Sequence, residues 1–301
     1  MKIFSSLKSG FCRALHSWKG VFIVWFSLFI LVLLVIYPLR GSLSSAFGSS
    51  MITEKLADGF DIEVFADLGP ALKGLISFLT AGFLVVYFVG FIVNAFLTSG
   101  LFGSLREESG KFSFQEFFVA GSKNFWSFLI ISLIITVIIN FYSGILIGVP
   151  MMIVSISDTV SEKSRFNIVI TTVVILLLTL PIFFLVADYA RAWKASHENG
   201  SCFRAIGFGF DHTFSKFWSS YIMMVLLILS QIIFGILILQ ILPAWKPVSG
   251  WGVFLLLIIS QLLLFVRLLL KTWRYASVTS MMEKTTKTIP EKFNITKDEQ
   301  G

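Results

Sequence analysis

The sequence has few of the residues with which enzymes usually do chemistry. Its 301 residues include three histidines and two cysteines, and only 14% are charged. His16, His197 and His212 form no HExxH or HxxxH pair, and Cys12 and Cys202 belong to no CxxC pair. GxSxG, Walker and strand-to-helix GxGxxG motifs are also missing. The sequence therefore predicts no catalytic residue, no cofactor and no metal, and it favours a protein that is not an enzyme.

The scarcity of charge also excludes an ordinary soluble domain. Hydrophobic residues make up 56% of the chain, and 33 of them are phenylalanine. They gather into runs long enough to cross a bilayer, which takes about 20 residues as a helix. We predict an all-α, polytopic membrane bundle with six transmembrane helices, at 21–37, 72–98, 125–149, 168–187, 217–242 and 250–270.

The basic residues predict the orientation. If both termini are cytoplasmic, all but six of the 24 Lys and Arg lie on the cytoplasmic side, as the positive-inside rule requires. The long external segment 41–71 is then acidic, with pairs such as Asp61 and Glu63. The formal charge of +7 is spread over membrane-facing segments, which predicts contact with anionic lipid and no nucleic-acid partner.

A cleaved signal peptide is an alternative interpretation of the first run. Small residues at 44–46 follow it and resemble a cleavage site. The basic region reaches as far as Lys19 and the apolar run is long for a signal core, so we favour a retained helix.

One short phrase occurs twice, as SKNFW at 122–126 and SKFW at 215–218. Apolar residues precede each copy at helical spacing, and the N-terminus repeats this spacing from Phe4 to Trp18. We predict three amphipathic helices at the cytoplasmic interface, each turning into the membrane at its phrase. The predicted interfacial anchors of these turns are Trp18, Lys123, Trp126, Lys216 and Trp218.

The even-numbered spans share an exit. RAWK at 191–194 resembles KTWR at 271–274, so Trp193 and Trp273 are two further predicted anchors. We predict a single domain at 1–284, composed of hairpin repeats at 1–110, 111–200 and 201–284, with a polar cytoplasmic tail at 285–301. The alternative to a threefold repeat is that any amphipathic helix before a span has this spacing.

Few polar residues lie inside the predicted spans. Asp188 ends the fourth span and Arg267 lies near the cytoplasmic end of the sixth, and each needs a partner. Arg191 and Arg267 are the candidate partners of Asp188, in a structural clamp or in a functional gate. Three uncharged residues are candidates either for hydrogen bonds between helices or for a polar path: Asn140, Gln231 and Gln261.

The FSSLKSGFCRALHSW start, the GFDIEVFADL segment and the paired SKNFW and SKFW entries together resemble a known group. Its members are uncharacterised bacterial six-helix inner-membrane proteins. The chain is also distantly similar to the membrane domain of some glycerophosphodiester phosphodiesterases, without their catalytic barrel. The resemblance implies a fold and a bacterial inner membrane, but no activity.

Three functions remain open. The first is a non-enzymatic membrane protein that binds lipid, a membrane-protein partner or a second copy of itself. The second is a transporter or channel with a polar path near the bilayer midplane. A lipid-modifying enzyme is the least favoured, because no acid, histidine and metal cluster supports it.

Overall fold

The computed structural model describes residues 2–47, 70–106, 112–156, 161–197, 199–245 and 249–286, and all the regular structure in these ranges is helical. Six of the helices are long and apolar enough to span a membrane, so this is a multi-pass membrane protein. The elements are α1 (Lys2–His16), α2 (Trp18–Phe47), α3 (Pro70–Ser104), α4 (Phe114–Ser143), a π-helical turn (Gly144–Gly148), α5 (Val149–Ile156), α6 (Glu162–Ser196), α7 (Cys202–Ser215), α8 (Phe217–Ala244) and α9 (Gly250–Thr286).

Some sequence predictions fall outside the described residues. They concern the external acidic segment, with Asp61 and Glu63, and the tail from 287 onward. The chain forms two compact units, Met1–Phe22 with Ala95–Gly301 and Ile23–Asn94. The prediction of one domain at 1–284 therefore stays a prediction.

The smaller unit consists of the adjoining parts of α2 and α3. A Cβ atom added at Gly82 would lie 2.9 Å from Val35, and one at Gly90 would lie 3.8 Å from Leu31. Glycine thus lets the two helices pack closely, as small residues do in membrane helix pairs.

The larger unit has its buried core near one end of its spanning helices. The core is formed by residues such as Phe128, Leu185, Tyr189, Met224 and Tyr275. Beyond Leu227, no residue of α8 with a described side chain is buried, and none of α9 is buried before Thr272. The rest of each spanning helix keeps large apolar side chains at its surface, which suits contact with lipid.

Helix α1 packs against the end of α9 through small residues. Ser6, Gly10 and Ala14 are buried on one face, and a Cβ atom added at Gly10 would lie 2.6 Å from the Cα of Ser277. Arg13 links α1 to α9 and to the residue that follows α3. Its Nη1 donates to Glu283 Oε2 of α9 at 2.7 Å and to the carbonyl of Leu105 at 3.1 Å.

Helix α7 packs against α6 in a similar way. Ala205, Gly209 and Thr213 are buried on one face. A Cβ atom added at Gly209 would overlap the carbonyl oxygen of Val186 and lie 3.2 Å from Ala190. Small residues therefore set the separation between these helices as well.

The start of α4 packs against the end of α3. Ser99 Oγ donates a hydrogen bond to the carbonyl of Ala120 at 2.8 Å, and a Cβ atom added at Gly100 would lie 2.8 Å from the carbonyl oxygen of Phe117. Each of the three segments that precede a span thus packs on the end of a returning span.

The prediction that the chain turns into the membrane at SKNFW is wrong. Helix α4 runs without interruption from Phe114 through this phrase, and the spanning helix continues beyond the predicted end at 149. At SKFW the chain does break, because Lys216, with φ −133° and ψ 46°, separates α7 from α8. In α4 the packed face continues through the phrase, because Asn124 within it and Phe128 just after it are both buried.

Candidate functional site

The strongest candidate site is a buried charge cluster formed by Asp188, Arg191 and Arg274. Asp188 is fully buried in α6, with 0% of its surface exposed. Arg191 Nη1 donates to Asp188 Oδ1 at 3.1 Å, and Nε of Arg274, on α9, lies 3.0 Å from Asp188 Oδ2. The carboxylate therefore joins two spanning helices that are neighbours in the bundle.

A third helix contributes to the cluster through Ser132 of α4. Arg191 Nη2 donates to its hydroxyl at 2.9 Å. On α9 the guanidinium of Arg274 lies 5.2 Å from the ring centroid of Phe184 and 5.1 Å from that of Tyr275. Such cation–π contacts stabilise a desolvated guanidinium without neutralising its charge.

The cluster contains two guanidinium groups and one carboxylate, so its members carry one net positive charge. Lys271 adds another cation nearby, with Nζ 5.8 Å from the ring centroid of Tyr275. Arg191 Nε is buried and has no hydrogen-bond partner among the described residues. The site has more cationic donors than carboxylate acceptors.

Beside the cluster, Tyr189 and His212 form a buried aromatic layer. The hydroxyl groups of Tyr189 and Ser220 share a hydrogen bond of 2.8 Å, and the ring of His212 lies edge-on to Tyr189 at 4.6 Å. Burial, assisted by Lys216 and opposed by Asp211, lowers the pKa of His212 to about 4. His212 is therefore neutral near pH 7 and acts as a packed ring.

The second candidate site is the exposed face of the segments that precede the spans. Phe4 of α1 is 76% exposed and Phe203 of α7 is 71% exposed, although both lie on the faces predicted to be apolar. Trp18, Trp126 and Trp218 are exposed as well. In α1 and α7 the residues that pack inward are mostly small, and at the start of α4 Phe117 is buried as well, while many of the other aromatic rings lie at the surface.

Two other predicted anchors lie within the packing. Trp193 stacks on Phe208 of α7, with ring centroids 5.8 Å apart. Trp273 Nε1 donates to the carbonyl of Leu7 at 2.9 Å, and its ring contacts Phe11 of α1. Each half-buried tryptophan thus joins the end of a span to the short helix packed on it. Of the predicted lysine anchors, Lys123 is exposed and Lys216 is half-buried.

The structure does not join Arg267 to Asp188. Arg267 is exposed, and it is Arg274, two turns further along α9, that reaches the carboxylate. The predicted partner Arg191 is in place. Sequence reasoning missed Arg274 because it stands in the exit phrase, where a basic residue beside a tryptophan is typical of a headgroup contact.

The polar residues deeper in the spans bond mainly to their own helices. Asn140 is exposed and donates to the carbonyl of Thr136 at 2.9 Å, and Gln231 donates to that of Leu227 at 3.3 Å. Gln261 is half-buried. These hydrogen bonds of Asn140 and Gln231 are intrahelical, so they do not link the amides to a neighbouring helix.

Within the described part of the chain, no three His, Cys, Asp or Glu residues lie together as metal ligands would. No family model matches the sequence, and no curated protein or solved structure matches it at a significant level. The functional argument therefore depends on the charge cluster and the exposed aromatic faces.

Proposed function

We propose that the chain is a non-enzymatic, integral inner-membrane protein of the bacterial envelope that binds membrane lipid. The observation that carries this proposal is the outward direction of the aromatic rings on α1, the start of α4 and α7. Apolar rings held at the surface by a small-residue contact beneath them suit a membrane interface. Membrane lipids are the expected ligands, and a membrane-protein partner or a second copy of the chain would use the same faces.

The proposed orientation places both termini in the cytoplasm. It follows from the basic residues of α1, the start of α4 and α7, such as Lys8, Lys123 and Arg204, which are exposed at the same end of the bundle as the aromatic rings. A helix with rings on one side and basic residues on another would lie along the cytoplasmic headgroups.

The proposal includes a threefold repeat of hairpins. Its support is that α1, the start of α4 and α7 each place a small residue against the end of a returning span: Gly10 against Ser277, Ala120 against Gly103 and Gly209 against Ala190. Superposition of the three units in an experimental structure would test it, and units that fail to superpose would refute it.

Native mass spectrometry of the protein, taken from its own membrane in lipid nanodiscs, tests lipid binding. We expect a defined set of lipids to stay bound, and the Phe203→Ala, Phe214→Ala double variant to lose part of that set. Phe141→Ala is the matched control, because Phe141 is 71% exposed, as Phe203 is, but lies on the spanning part of α4. A bare protein with freely exchanging bulk lipid would contradict the proposal.

Transport is the second candidate function. The observation in its favour is the fully buried Asp188 in a spanning helix, since ionisable groups at such positions often serve ion or substrate pathways. Flux measurements with Gln231→Leu and Gln261→Leu variants in vesicles would test it. Unchanged flux in both variants would remove the polar path from consideration.

A further inference from the structure

The cluster formed by Asp188, Arg191 and Arg274 carries an excess of positive charge. A buried charge without a counter-ion is costly, and one carboxylate cannot neutralise two guanidinium groups. The aromatic rings of Phe184 and Tyr275 reduce this cost without removing the charge. An anion bound at the cluster would balance it.

Only the cationic members of the cluster can be reached from outside. The side chains of Arg191 and Arg274 keep 13% and 11% of their surfaces exposed, whereas that of Asp188 keeps 0%. A ligand that approaches the cluster therefore meets the side chains of Arg191 and Arg274 and does not meet the carboxylate. The accessible part of the site selects for an anion.

The position of the cluster points to a lipid headgroup. Asp188 lies between Val186 and Ala190, the two residues against which Gly209 of α7 packs. Arg274 lies one turn before Ser277, against which Gly10 of α1 packs. If α1 and α7 lie in the headgroup plane, the guanidinium groups are at the same depth as lipid phosphates.

We propose that Arg191 and Arg274 bind the phosphate of an anionic phospholipid. Guanidinium groups offer paired N–H donors that match phosphate oxygens, and basic pockets between spanning helices on the cytoplasmic side are suited to acidic headgroups. The inference rests on the proposed function, because it names the class of lipid that is bound.

The test is a competition between phosphatidylglycerol and phosphatidylcholine for the full-length protein, measured by native mass spectrometry. We expect the wild type to retain phosphatidylglycerol about tenfold in preference, the factor that corresponds to one charge-assisted hydrogen bond. Arg274→Gln and Arg191→Gln should lose most of this preference. Arg267→Gln is the control, because Arg267 is an exposed arginine of the same helix and lies outside the cluster.

Two further measurements separate lipid binding from loss of folding and from binding of a free anion. Arg274→Lys retains the charge with a different donor geometry and should keep part of the preference, which separates anion binding from loss of folding. Inorganic phosphate, added at constant ionic strength to protein in phosphatidylcholine nanodiscs, should not raise the melting temperature. If phosphate does raise it, and Arg274→Gln removes the effect, the source is a free anion and the assignment to lipid is overturned.

The remaining outcomes are also decisive. Equal phosphatidylglycerol preference in the wild type, Arg274→Gln and Arg191→Gln would overturn the inference while leaving lipid binding intact. If the wild type retains neither lipid, the proposed function itself fails. Loss of preference in Arg267→Gln as well would assign the effect to overall charge and overturn the site.

Discussion

Replacement of Asp188 by asparagine should destabilise the protein much more than replacement of either arginine. Asparagine keeps the size of the side chain but removes the charge, which leaves Arg191 and Arg274 buried beside each other with no carboxylate of the protein to pair with. Breaking a buried ion pair by removing one partner costs on the order of 3–5 kcal/mol. We expect Asp188→Asn to lose about this much of its unfolding free energy.

Arg274→Met provides the comparison. It leaves the Asp188–Arg191 pair, whose N–O distance is 3.1 Å, as a neutral unit. Methionine can still pack against the rings of Phe184 and Tyr275. The expected loss is therefore smaller, no more than about 2 kcal/mol, because the change leaves no unpaired guanidinium in the cluster. The asymmetry follows from the two-to-one ratio of cations to carboxylate.

Denaturant unfolding in detergent micelles, followed by tryptophan fluorescence, measures both variants against the wild type. Asp211→Asn is the matched control, because Asp211 is an exposed aspartate of α7 and should change stability by less than about 0.5 kcal/mol. Combining Asp188→Asn with Arg274→Met should cost less than the sum of the single changes, since only one unpaired guanidinium remains. Equal losses for Asp188→Asn and Arg274→Met, or additivity in the double variant, would refute the charge argument.

Three other predictions concern α7 and its surroundings. Gly209→Ala places a methyl group against the carbonyl of Val186 and should lower stability by about 1–3 kcal/mol, measured in a thermal melt. Gly207→Ala is the control, because Gly207 has open space around it, and it should be neutral or slightly stabilising. Equal melting temperatures for the two variants would contradict the close contact at Gly209. The pKa of His212 is about 4 in the folded protein, against an ordinary value of 6.5. Between these pH values the unfolded chain therefore binds more protons than the folded protein. As the pH decreases through this range, the unfolding free energy should fall by up to about 3 kcal/mol. Unfolding curves near pH 5 and pH 7 for the wild type and His212→Phe check this, because the variant should lose that part of the pH dependence. Tyr189→Phe leaves the buried hydroxyl of Ser220 without its partner and should cost about 1–2 kcal/mol, and adding Ser220→Ala should recover part of the loss; an unchanged melting temperature in Tyr189→Phe would show that the bond contributes nothing.

The spans could be predicted from the sequence because hydrocarbon forces every long apolar run to satisfy its own backbone. Their ends were less predictable, as α4 shows by continuing through SKNFW. A tryptophan and a lysine mark the depth of an interface but do not determine whether the helix bends there. That depends on neighbouring contacts, and at this position Asn124 and Phe128 keep the helix packed.

The candidate site was predictable only in part. The sequence identifies Asp188 because a carboxylate in an apolar run needs a partner, and Arg191 lies one turn away. The contribution of Arg274 depends on which face of α9 packs against α6. No local sequence pattern determines that face. Small residues were also underestimated: Gly10, Gly100 and Gly209 decide how closely helices approach, although their side chains contribute no periodic signal.

The contacts of α1 have a consequence for assembly. Each segment before a span packs on the end of a returning span, and for α4 and α7 that span is the one immediately before it in the chain. For α1 it is α9, the last one, so Arg13 bonds Glu283 across 270 residues and Trp273 bonds Leu7 across 266. The first helix therefore cannot complete its contacts until the last has been synthesised. Because Arg13 also bonds the carbonyl of Leu105, which follows α3, the same event fixes the end of a third element. The packing of α1 on α9 is thus the step that joins the first helix to α9.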